Sequence, residues 1–258
     1  LSHPYLVSYW ALDSDFTDSA GSNDGTPNGS IVNATGLSSS AMMFDGVDDY
    51  VDISEEGVAV TSVSISTWIK ATDLVGIHTI FSTFYYKEVG EYYGYNLRTN
   101  GEKIQFATLE GGGWSSENSL SADSGLTTEW MFLTATHDSG TSKIYINGEL
   151  VVFGNKTEPV FHSTKIADIG AARDISSVPN YFFNGSIDEV LIYNSSLTAS
   201  EIQQLYKAGL SQHANTNITL QTRTADSYNL SDSGLVGLWG LNSNGSSVAV
   251  DETGNNNG

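Results

Sequence analysis

Residues 182–206 read FFNGSIDEVLIYNSSLTASEIQQLY. From Phe182 to Tyr193 apolar and polar side chains interleave in a strand pattern. After Asn194-Ser195-Ser196 the period changes. Thr198 followed by Glu201 makes a capping box, and Ile202, Leu205 and Tyr206 fall on one helical face that can dock on a sheet. Gly209 is the expected stop. A long strand running into one short helix is the junction around which the rest of the chain is read.

Upstream, short alternating runs recur between Gly, Asn, Asp and Ser clusters. MMFDGVDDYVDI (42–53) gives two strands about an Asp-Gly corner. VSISTWIKA (63–71) puts Val63, Ile65, Thr67 and Ile69 on one side and Trp68 on the other. HTIFSTFYY (78–86), YYGYNLRT (92–99) and KIQFATL (103–109) form a meander, with Asn100-Gly101 as a hairpin signal. WMFLTATHD (130–138) pairs with SKIYING (142–148), and Asn147-Gly148 turns into ELVVF (149–153). TKIADIGAA (164–172) precedes the opening stretch. The expected fold is all-β: a two-sheet antiparallel jelly-roll sandwich with one short C-terminal helix, followed by a linker strand and the first strand of a next repeat.

Composition bounds the function. Ten basic and 30 acidic residues give a net charge of −20, which repels phosphate backbones and argues against nucleic acid. The chain of 258 residues has no cysteine, hence no disulfide or thiolate chemistry. No apolar run approaches the roughly 20 residues that span a bilayer, so no membrane insertion is expected. Nothing reads as a signal peptide, and Leu1 looks like an internal or mature start. Ser, Thr, Gly and Asn abound, Lys is scarce, and eight N-x-S/T sequons occur, at Asn28, Asn33, Asn155, Asn184, Asn194, Asn217, Asn229 and Asn244. Chance gives roughly four. The expectation is an extracellular or cell-surface glycoprotein.

The corner FDG…YV, the hairpin W…D…KIYINGELV and the ending F-x-G-x-IDEV-x-IYN…L-x-x-x-EI occur in an order that resembles the laminin-G-like, concanavalin A-like lectin/glucanase jelly roll over residues 5–207. Phe132 stands where many relatives carry a His, and reads as an extra core residue. The resemblance implies structural Ca²⁺ held by Asp13, Asp18, Asn23 and Asp188, oxygen donors of the kind Ca²⁺ requires. The alternative for these residues is capping of backbone turns. The resemblance also implies ligand binding by the rim loop GAARDISSVPNY (170–181), with Arg173 and Asp174, and by a sheet face. Trp114, in a Gly-rich loop, is the best stacking candidate for a sugar. Tyr85, Tyr86, Tyr92, Tyr93 and Tyr95 read mainly as cross-strand packing, and Trp10, Trp68 and Trp130 as core.

Catalysis has little support. Glycosidases need two carboxylates across a sugar, whereas Asp188 and Glu189 are adjacent and alternation sends them to opposite faces. SADSGLTTEW (121–130) is an imperfect sialidase-like Asp box, a folding turn. The histidines have no metal-ligand spacing, and no G-x-S-x-G elbow occurs. No enzyme activity is expected.

The end of the chain restarts its beginning. Leu235-Val236, Trp239 and Asp251-x-x-Gly254 answer Leu6-Val7, Trp10 and Asp18-x-x-Gly21. The expected organisation is a jelly roll over 1–209, a linker over 210–234 with a strand at NITLQTRTA (217–225), and the opening of a second repeat over 235–258. The function this implies is a non-catalytic structural or adhesive module of a tandem-repeat surface array or filament. Its partners would be copies of itself, joined head-to-tail through 210–258, or adjoining repeats, with cell-surface glycans as further ligands. The alternative is a carbohydrate-binding module of a larger secreted adhesin or enzyme.

Overall fold

The computed structural model describes residues 3–37, 39–53, 58–88, 91–112, 118–123, 125–156, 167–173, 176, 178–213, 239–240 and 250–251. The alternating runs become strands. The chain opens with β1 (Leu6–Trp10), β2 (Thr26–Asn28), β3 (Val32–Thr35), β4 (Ser40–Asp45) and β5 (Tyr50–Ile53). Next come β6 (Val63–Ala71), β7 (Ile77–Ser82), β8 (Tyr85–Glu88), β9 (Glu91–Asn100), β10 (Lys103–Gly112) and β11 (Ser119–Ala122). β12 (Met131–Asp138), β13 (Thr141–Ile146) and β14 (Glu149–Asn155) follow. Then β15 (Ala167–Ile169), β16 (Ala172–Arg173), β17 (Pro179–Asn180) and β18 (Asn184–Tyr193) lead into α1 (Ala199–His213). β19 (Trp239–Gly240) and β20 (Val250–Asp251) lie near the C-terminus. The chain divides into two compact units, Leu1–Thr216 and Asn217–Gly258.

The first unit is a sandwich of two antiparallel sheets. One has the order β14-β13-β12-β6-β18-β4-β3, with β1 also on β18; the other has β11-β10-β9-β7-β15-β5-β2, with β8 on β9. Across the second sheet Val51, Ile169, Phe81, Leu97, Phe106 and Leu120 are successive cross-strand partners. All are buried and face a core shared with Phe44, Ile65, Ile69, Leu133, Ile187 and Ile192 of the first sheet. Burying each large apolar side chain stabilises the fold by about 1.5–3 kcal/mol. The hairpin at Asn147-Gly148 has positive φ at both residues (51° and 82°), the primed turn that suits twisted strands.

The opposite face of the first sheet carries a second apolar layer: Trp68, Phe132, Tyr145, Leu191, Tyr193, Leu197 and Ile202. Helix α1 covers it, and Phe132 sits between Trp68 and Tyr206, at ring-centroid distances of 5.2 and 6.1 Å. Phe132 is thus a buried packing residue. Trp10 and Trp68 are buried, and Trp130 packs against this outer layer. Thr198 caps the helix reciprocally: its N–H donates to Glu201 Oε2 at 2.7 Å, and the Glu201 N–H donates to Thr198 Oγ1 at 3.3 Å.

The helix does not stop at Gly209. It continues to His213, because Gly209 serves packing instead of termination. A Cβ there would lie 2.7 Å from Trp68 Nε1.

In the second unit Trp239 pairs with Asp251 and Gly240 with Val250, antiparallel. The first unit holds an isolated antiparallel bridge between Trp10 and Asp18. The two bridges join residues that the sequence repeat aligns. The strand expected at 217–225 lies outside the described residues.

Candidate functional site

Two groups of polar residues, and a smaller acidic corner, stand apart from the core. The first grows from an irregularity in β18. Its pairing with β6 shifts between Asp188 and Leu191, and Glu189 takes a left-handed φ of 54°. A bulge of this kind breaks the alternation of side chains. The expectation that Asp188 and Glu189 point to opposite faces is therefore corrected: their carboxylates share one neighbourhood. Burial pushes Asp188 up to about 8, and the charges of Glu189 and Asp13 add to this, against backbone N–H groups of Leu37 and Glu189 that pull it down. Burial also raises Glu189, the Tyr9 hydroxyl opposes that rise, and Asp13 reinforces it. Tyr9 is driven far above its usual value by burial and by Glu189. Asp188 is 3% exposed, and its Oδ1 has no hydrogen-bond partner. Asp13 fastens the loop above, accepting from the Ser39 hydroxyl and from the Ser40 N–H.

A buried carboxylate oxygen without a donor, amid like charges, is costly unless a proton or a cation completes it. Oxygen donors of this type suit Ca²⁺. Asp13, Asp188 and the unforeseen Glu189 offer oxygen donors of this kind in one neighbourhood, but among the described residues the carboxylates that bring ligand oxygens within 4.8 Å of one another are a different group.

The other two residues of the expected set behave differently. Asp18 Oδ1 accepts from the backbone N–H groups of Tyr9, Ala20 and Gly21 at 2.9–3.1 Å, and Oδ2 accepts from Asn23 N–H at 3.1 Å. Asn23 donates to Ser8 Oγ, and its carbonyl accepts the Trp10 indole N–H, each at 2.9 Å. Burial raises Asp18, but the donors from Tyr9, Gly21, Ser8 and Asn23 outweigh it and hold the carboxyl below its usual value. Asp18 and Asn23 thus cap the turn that seats Trp10. A separate acidic group lies in the Asp-Gly corner, where Asp45, Asp48 and Asp49 bring ligand oxygens within 4.8 Å of one another and could hold a metal ion. Asp49 already accepts the Asp45 N–H at 3.0 Å.

The second group is the outer face of the second sheet. Next to the core row runs Asp52, Asp168, Ser82, Asn96, Ala107 and Ser119, again successive cross-strand partners. Arg173 grips one end. Its Nε and Nη2 donate to Asp168 at 2.9 Å, Nη2 reaches Asp52 at 3.2 Å, and the guanidinium lies 5.8 Å from the Tyr50 ring centre. Burial pushes Asp168 up to about 6 despite Arg173. Farther along, Asn96 is 1% exposed, and its Oδ1 is unpartnered, as is Thr79 Oγ1. Thr79 pairs with Arg98, whose Nε donates to Gln105 at 3.1 Å. Burial lowers Arg98 to about 10.

Of the expected ligand residues, Arg173 belongs to this face, while Trp114 and Asp174 lie outside the described residues. Tyr95 is a core residue stacked on Phe81, and Tyr92 packs on Phe84. Among the sequons, Asn33, Asn155 and Asn194 are exposed. Asn28 is half-buried with its amide on the Thr26 carbonyl, and Asn184 donates its amide to Asp73 at 2.7 Å. Asn217, Asn229 and Asn244 lie outside the described residues.

Solved structures with this fold include domain 4 of AbnA, a GH43 extracellular arabinanase from Geobacillus stearothermophilus, in complex with arabinotriose. It has 24% identity and a TM-score of 0.62, over 78% of this chain and 98% of that one. The binding domain of botulinum neurotoxin DC, in complex with rat synaptotagmin II, has 17% identity and a TM-score of 0.61, over 80% of this chain and 51% of that one. The binding domain of Paraclostridial Mosquitocidal Protein 1 matches at 14% identity and 0.59, over 79% and 52%. The chain thus spans nearly all of the arabinanase domain and about half of each toxin binding domain. No curated protein matches the chain. A family model matches residues 45–203, from the Asp-Gly corner to the helix, and the chain belongs to that family, the concanavalin A-like lectin/glucanases superfamily.

Proposed function

We propose that the first unit is a non-catalytic, glycan-binding module of an extracellular adhesive protein, stabilised by Ca²⁺. The observation that carries this is the polar outer row of the second sheet. Beside it Arg98 and Gln105, neither fully buried, offer guanidinium and amide groups of the kind that bind sugar hydroxyls, with the buried Asn96 and Thr79 behind them. Its two carboxylates, Asp52 and Asp168, are held by one guanidinium. Glycoside hydrolysis asks instead for two carboxyl groups flanking a scissile bond. Arabinotriose in the similar arabinanase domain, and the dependence of botulinum neurotoxin type C on two ganglioside molecules for cell entry, support a saccharide as ligand. The test is a glycan panel read with wild type and Arg98→Ala. Binding by wild type alone, with equal thermal stability, sustains the proposal; wild type that binds no glycan defeats it.

A specific observation favours a second role, as a unit of a tandem-repeat array joined head-to-tail through 210–258. Trp239 and Asp251 form the bridge that Trp10 and Asp18 form in the first unit. The division into 1–209, 210–234 and 235–258 belongs to this reading. Electron microscopy of native material tests it: regular fibres sustain the array, and separate globular particles refute it.

A further inference from the structure

The strands that end each sheet offer an inference about covalent modification. An edge strand presents unpaired backbone N–H and C=O groups to any other strand, and proteins guard such edges with Lys, Pro, bulges or covering segments. The first sheet ends in β14 on one side and β3 on the other. β14, ELVVFGN, contains neither Lys nor Pro, and exposes Leu150 (47%), Val151 (47%) and Phe153 (67%). β3, VNAT, has no charge at all and exposes Val32 (55%). These β-prone runs, whose one charge is Glu149 at the start of β14, have the composition of aggregation-prone segments. Each also holds an exposed sequon asparagine: Asn155 closes β14, and Asn33 sits within β3. The second sheet ends at β2, which has Pro27 as a guard and the sequon Asn28 beside it.

We infer that Asn33 and Asn155 carry N-linked oligosaccharides that shield the two edges of the first sheet. In the modification, Asn Nδ2 bonds to the anomeric carbon of a lipid-linked oligosaccharide phosphate or diphosphate. The C–O bond to phosphate breaks, the phosphorylated lipid leaves, and the amide gives up one proton. A hydrated glycan on each edge excludes an approaching strand and covers Phe153 or Val32 by bulk alone. Asn184 is the internal contrast. Its amide is held by Asp73, and Ser186, the sequon hydroxyl, lies 8% exposed in a central strand. It remains unmodified. The inference rests on the extracellular reading, because the donor and its transferase act on chains that leave the cytoplasm.

Glycopeptide mass mapping of the protein from its own cells is the first test. Glycans at Asn33 and Asn155 and none at Asn184 is the expected result. Glycan at Asn194 with Asn33 and Asn155 bare would overturn the edge assignment and leave the extracellular reading standing. No glycan at any sequon would overturn the assignment and the glycoprotein reading together. Light scattering of Asn33→Gln/Asn155→Gln made in the same cells is the second test. A shift from monomer to oligomer is expected, reversed by adding Phe153→Lys and Val32→Lys. A double variant that stays as monodisperse as wild type refutes the shielding role.

Discussion

Asp188→Asn removes the charge and keeps the shape, and its effect can be worked from the site. With Asp188 at about 8 in the folded chain against an ordinary value near 3.9, the native state holds one proton more than the unfolded state between those limits. Stability of the ion-free protein therefore falls as pH rises from about 4 to about 8, by up to roughly 5 kcal/mol for a gap of about four units. A cation reverses that loss at high pH, where it does not compete with the proton. Asparagine replaces the unpartnered, charge-bearing carboxyl with a neutral amide in the field of Asp13 and Glu189. Even if relaxation absorbs half of the penalty, Asp188→Asn is expected to gain about 2 kcal/mol at pH 8.5 in chelator. For a domain of this size that is a Tm increase of roughly 4–8 °C. The assay is thermal unfolding at pH 5 and pH 8.5, in chelator and in excess Ca²⁺. Wild type should lose stability toward pH 8.5 and regain it with Ca²⁺, while the variant should respond weakly to both. A variant no more stable than wild type in chelator at pH 8.5, or one with an undiminished Ca²⁺ response, would refute the reasoning.

Other substitutions probe the packing and the sheet face. Gly209→Ala adds a better helix former, worth about 1 kcal/mol in a free helix, yet it should cost about 1–3 kcal/mol because the new Cβ meets Trp68. Denaturant unfolding checks this, and an unchanged midpoint counts against the close approach. Arg173→Met leaves Asp168 buried without its partner, at an expected cost of about 3–5 kcal/mol at pH 8. The loss should shrink toward pH 5, since protonation removes the stranded charge, and adding Asp168→Asn should recover most of it. A loss equal at both pH values contradicts the ion-pair account.

Much of the fold was legible because its signals are local. The Thr198–Glu201 capping box, the positive-φ pair Asn147-Gly148 and the split between Ile65 or Ile69 and Trp68 each depend on residues close in sequence. Gly209 does not announce its role, because glycine looks the same in sequence whether it ends a helix or lets a helix approach an indole. The pairing of Asp188 with Glu189 was hidden by a bulge, which no alternation pattern reveals. Asp18 and Asp13 carry the same side chain, and only the turn around Trp10 separates the capping residue from the candidate ligand. The row from Asp52 to Ser119 was invisible because it is written across six strands in a register set by the fold. Arg173 was singled out through the resemblance, but its partner Asp52 stands 121 positions away.

The central claim, that the outer face of the second sheet binds saccharides without cleaving them, is tested most directly by presenting wild type to a panel of arabino-oligosaccharides and ganglioside glycans. Bound ligands should then be recovered and their length measured. The account predicts binding that Arg98→Ala abolishes, with every ligand recovered intact. Shortened ligands, or binding that survives Arg98→Ala unchanged, would contradict it.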